Sequence, residues 1–138
     1  MTQQDVLERG VGTTPLTSAR VGAVVYVLWG VVHVAFAIFS YKAALAMPFS
    51  DVQGRLLQNA WNIFFLGIAV IGVAMVFNWR NNSWGYWINL ATASLGDIGF
   101  VMFLMVPGHV PLFPPVLILA LWIIAASLTT AAHFGRRT

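Results

Sequence analysis

The stretch V-G-A-V-V-Y-V-L-W-G-V-V-H-V-A-F-A-I-F-S-Y-K-A-A-L, Val21–Leu45, decides the fold. Its one charged side chain, Lys42, falls near its end. A helix rises ~1.5 Å per residue, so ~20 apolar residues cross a ~30 Å hydrocarbon core. This segment has both the length and the apolarity to do so. Three more of the same kind follow at Leu56–Phe77, Trp84–Val106 and Pro115–His133. Inside lipid every backbone polar group must find a partner, which leaves helices or closed barrels, and four strands cannot close a barrel. The sequence therefore predicts an all-α fold, an integral membrane four-helix transmembrane bundle. The connections are short, so an antiparallel up-down-up-down order is expected.

Composition agrees with that reading. Of 138 residues, 59% are hydrophobic and 8% charged, where a soluble domain carries about a quarter charged. A soluble enzyme, a disordered tail and a nucleic-acid module are excluded. The formal net charge is only +3, and seven scattered Lys and Arg make no phosphate-tracking patch, so no nucleic-acid partner is expected. With no cysteine in the chain, disulfides, thiolate zinc sites, iron–sulfur clusters and Cys nucleophiles are all ruled out. The domain plan is a polar N-terminal segment over residues 1–20, one transmembrane domain over 21–133 and a basic tail over 134–138.

The joints carry stop and start signals. Met47-Pro48-Phe49 breaks the first helix, and Ser50 with Gln53 forms an S-x-x-Q capping box for the second. The polar run Asn78–Ser83 ends the second, with Ser83 as N-cap of the third. Pro107-Gly108 ends the third, and Pro114-Pro115 suits the first turn of the fourth. Arg9, Arg20, Arg80, Arg136 and Arg137 fall on one side of this topology, and Lys42 and Arg55 on the other. The bias predicts a bacterial-type inner membrane with both termini cytoplasmic, and Trp79, Trp84, Tyr86 and Trp87 would form an aromatic belt at the inner boundary. Ala44-Leu45-Ala46 resembles a signal-peptide cleavage site. The apolar stretch is longer than a usual h-region and Lys42 interrupts its end, so retention is expected.

Ionisable residues inside a span are rare and costly, which makes each a functional candidate. There are two, His33 and Asp97. His33 lies ~18 Å along its span from Val21 and Asp97 ~20 Å from Trp84. Both segments run the same way, so the two share a level. Asn62, entering from the other side, comes out at ~22 Å, which predicts a His/Asp/Asn polar layer. Tyr26, Trp29, Gly30 and His33 recur at helical spacing on the first segment. Gln58, Asn62 and Phe65 line a stripe of the second, and Asn89, Ser94 and Asp97 one side of the third. Ser127, Thr129 and Thr130 make a further polar level on the fourth. The small-residue pairs Thr92/Gly96, Ala125/Thr129 and Ser127/Ala131 predict that the third and fourth helices pack most tightly, or that they form a homo-oligomer seam.

Two readings of the layer stand side by side. In one, His33, Asp97 and Asn62 hydrogen-bond to fix helix register. In the other, a small lipophilic molecule binds against an aromatic wall of Tyr26, Trp29, Trp61 and Phe65, with Asn62, Asn89 and Ser94 as polar contacts. His33 and Asp97 are then the catalytic candidates for a proton transfer such as an isomerisation or hydration. An accessory subunit of a larger membrane complex and a small proton-coupled transporter are the alternatives, and the residues leave enzymatic activity open. No cofactor is implied. His33, His109 and His133 lie too far apart to share a metal or a bis-His haem, and a single axial His33 on a haem or pigment is the minor alternative. His133 reads as a C-terminal helix cation and His109 as a loop residue.

Overall fold

The computed structural model describes residues 14–136. It is a bundle of four helices, each long and apolar enough to cross a membrane. They are α1 (Pro15–Leu45), α2 (Asp51–Val76), α3 (Ser83–Phe100) and α4 (Pro115–Phe134). A short 3-10 turn, Asn78–Arg80, joins α2 to α3, and α3 runs on as a π-helical turn over Val101–Met105.

The ends differ from the sequence reading in instructive ways. Helix α1 starts at Pro15, six residues before Val21, because Thr14 caps it by accepting from the Thr17 amide and proline fits the first helical turn. Residues 1–13 of the expected polar segment lie outside the described residues. Helix α2 starts at Asp51 with Ser50 as its cap, the Gln53 amide donating to Ser50 Oγ at 3.2 Å. Only that half of the capping box forms. The Gln53 side chain instead donates to the carbonyls of Ala44 (3.1 Å) and Met47 (2.9 Å), tying the end of α1 to the start of α2. The cap of α3 is Asn82 rather than Ser83, since the Asn82 Oδ1 accepts from the Trp84 amide at 2.8 Å.

Helix α1 is the spine, packing chiefly against α2 and α4. The expectation that the third and fourth helices form the tightest pair is overturned. Glycines decide the matter. A Cβ on Gly30 would stand 2.8 Å from the Gly67 carbonyl oxygen, and one on Gly67 2.8 Å from that of Gly30. On the other flank a Cβ on Gly22 would stand 2.7 Å from the Thr129 side chain. Only glycine permits such approaches, and close packing is what holds helices together where lipid is as apolar as they are. Along α1 and α2 the contacting positions fall in opposite order, Ala44 by Gln53 and Gly30 by Gly67. Ser94 by Trp122 and Tyr86 by Thr130 show the same for α3 and α4. The core is small: Ala23, Tyr26 and Trp29 of α1, Val70 and Ala74 of α2, Ala93 of α3 and Ala125 of α4.

Candidate functional site

Helix α1 places Trp29 and His33 one turn apart on its inward stripe, and α3 brings Asp97 to them. Trp29 and Asp97 are both buried, and His33 keeps an edge open, its side chain 15% exposed. The Trp29 indole N–H donates to Asp97 Oδ2 at 2.9 Å. The His33 ring stacks on the Trp29 ring with centroids 3.6 Å apart. Its Nδ1 lies 2.9 Å from the Trp29 carbonyl oxygen. A carbonyl only accepts, so Nδ1 carries the hydrogen and Nε2 is left for other work. Nε2 faces Asp97 Oδ1 at 4.0 Å. Each oxygen of Asp97 thus has its own neighbour, an indole donor on one side and an imidazole nitrogen on the other.

That arrangement has a simple proton inventory. A bare Nε2 lone pair and an ionised Oδ1 would repel across the gap. One proton, on either the imidazole or the carboxyl, removes the repulsion. The pair therefore suits holding and passing on a single proton. Gly67 stands beside it, and a Cβ there would come within 3.3 Å of His33 Cβ.

The other expected site residues scatter. Tyr26 is fully buried, but it packs in the core with Trp29 rather than walling a pocket. Asn62 is exposed on the outer face of α2, together with Gln58, Trp61 and Phe65. The layer therefore consists of His33, Trp29 and Asp97 without Asn62, and the aromatic wall is split between core and outer surface. The cause lies in α2, which turns Ala60, Gly67, Val70 and Ala74 inward. Asn62 sits roughly 125° around the helix from that small-residue stripe. Asn89 is buried, with its amide nitrogen 3.2 Å from the Val70 carbonyl and 3.2 Å from the Asn78 side chain. Ser94 accepts from the Trp122 indole at 3.0 Å, a partnership that sequence reasoning missed. Of the polar level on α4, Thr129 bonds back to the Ala125 carbonyl, Thr130 reaches the Tyr86 hydroxyl and Ser127 is exposed.

His109 is exposed in the loop after α3, while His133 is buried and stacked on Tyr86 with centroids 4.4 Å apart. The Arg136 guanidinium lies 3.0 Å from His133 Nδ1. Arginine only donates, so in this contact the nitrogen accepts, and His133 lies in the last turn of α4. Tyr86 likewise turns inward from the aromatic belt, leaving Trp79, Trp84 and Trp87 exposed. Among the described residues, no three His, Asp or Glu side chains gather as metal ligands. No family model matches this chain, and neither does any curated protein or solved structure.

Proposed function

We propose that this small multi-pass membrane protein binds a lipophilic molecule at the open edge of His33 and exchanges one proton with it. His33 Nε2 is the group that meets the ligand. Asp97 Oδ1 balances the charge when the imidazole takes a proton, and the Trp29 indole keeps the carboxyl aimed. One observation carries the reading: a carboxyl and an imidazole face each other at 4.0 Å inside an apolar bundle. Register alone needs only neutral partners, since an asparagine would accept from the indole equally well. A titratable pair at the membrane interior costs a few kcal/mol more on insertion scales, and such pairs mark proton and ligand pathways.

The test is native mass spectrometry of the wild type beside Asp97→Asn, both released from mild detergent. A small molecule retained by the wild type and lost by the variant is the expected result. Bare protein in both samples would overturn the proposal in favour of a register role. A second polypeptide at fixed ratio would overturn it in favour of an accessory subunit.

A further inference from the structure

A separate feature lies at the other level of the bundle, on its outer surface. Ala23, Val24, Val27 and Leu28 of α1, with Met75 of α2 and Trp79 beyond it, line an apolar groove of about 440 Å³. The groove runs along α1 for about one and a half turns, from Ala23 to Leu28. Arg20 stands one turn before Ala23, and its guanidinium carbon lies 5.5 Å from the centre of the Trp79 ring. A positive charge is therefore held over the mouth of a greasy channel.

Among the described residues, no acidic side chain stands near that charge. Among the described residues the only acidic side chains are Asp51, at the opposite end of the bundle, and Asp97, buried beside Trp29. Arg80 directly follows Trp79, and Arg136 reaches Ser83 at the same end. The ring takes one face of the Arg20 guanidinium; among the described residues no hydrogen-bond acceptor is recorded on its N–H edges, and those edges match a phosphate. From Arg20 to Leu28 the helix rises ~12 Å, enough for a substantial part of one hydrocarbon tail.

We infer that this groove is a lipid site: it seats one acyl chain of an anionic glycerophospholipid, whose phosphate sits against Arg20. The recognition has two parts. Val24, Leu28 and Met75 are exposed and supply the wall for the tail. Arg20 with Trp79 supplies the headgroup contact at the interface, where aromatic and basic side chains collect.

The probe is palmitoyl-oleoyl phosphatidylglycerol against the phosphatidylcholine of the same chains. Each is titrated onto the delipidated full-length protein in detergent and counted by native mass spectrometry. One phosphatidylglycerol should bind preferentially, and Arg20→Gln should weaken it about fivefold, the effect of one interfacial arginine. Val24→Trp, which fills the groove from an exposed position, should remove tail binding while Arg20 remains. Arg55→Gln, at the far end, should change nothing. Equal binding of the two lipids, or indifference to both groove variants, would overturn the inference. So would a dimer that binds no lipid, since a second copy would then cover the groove.

Discussion

Trp29 is the residue on which the site turns. Its indole N–H ends on Asp97 Oδ2 and its ring carries His33. Trp29→Phe keeps a stacking surface but strands a buried carboxyl oxygen. Such a loss costs about 1–3 kcal/mol, and thermal unfolding in detergent should show it as a lowered midpoint. Asp97→Asn retains an acceptor for the indole and should melt close to the wild type. If the two variants melt alike, the indole bond is not what holds the carboxyl. The sequence made half of this site legible. Rise along the helices put His33 and Asp97 on one level, and Trp29 lay on the same stripe as His33. A buried indole needs an acceptor, which was the available signal for its bond to Asp97. Asn62 misled because polarity served as the guide to the inward face of α2. Its alanines and glycines were the better guide, since what matters between membrane helices is how closely backbones approach.

At the level of elements, the same logic explains why α1 and α2 pair so closely. Gly67→Ala puts a methyl group 2.8 Å from the Gly30 carbonyl oxygen and 3.0 Å from Val34 Cγ2. The backbones must part, and overpacking of this kind costs about 1–3 kcal/mol. Because His33 lies alongside, the variant should also lose whatever the wild type retains at Nε2. Gly72→Ala, whose methyl group would meet nothing within 4 Å, should stay within about 1 kcal/mol of wild type. A melting series over the two variants decides it, and equal losses would remove the glycine crossing from the account. The helices themselves were legible from apolar length. Their ends were less so, because capping depends on which of several neighbouring polar side chains reaches the free amides. Ser50 did as expected, while Asn82 displaced Ser83 and Thr14 drew α1 outward.

For the whole molecule, the all-α bundle was readable from four apolar segments, and from its charge distribution we propose a direction. Arg20, Arg80 and Arg136 gather at one end, against Lys42 and Arg55 at the other. Positive charge on short flanks stays cytoplasmic. The chain has no cysteine, so each introduced thiol is unique. Ser83→Cys should be labelled only from the cytoplasmic face and Ser50→Cys only from the opposite one. Labelling of both from one side would refute the topology. The relative packing of the helices was not legible, since small-residue pairs occur on all four and only the assembled bundle shows which pairs meet.

The two sides of α1 are not held by the same kind of force. Toward α2 and α4 it makes backbone contact through Gly30 and Gly22. Helix α3 has one such close approach, at Gly85 against Phe77 and Asn78, and beyond it relies on directional bonds: Asp97 to Trp29 of α1, and Ser94 to Trp122 and Tyr86 to Thr130 of α4. Contact by shape is indifferent to the polarity of the surroundings, whereas hydrogen bonds tighten as water is excluded. The grip on α2 and α4 is thus set by geometry, and the grip on α3, with its carboxyl, by how dry the surrounding medium is.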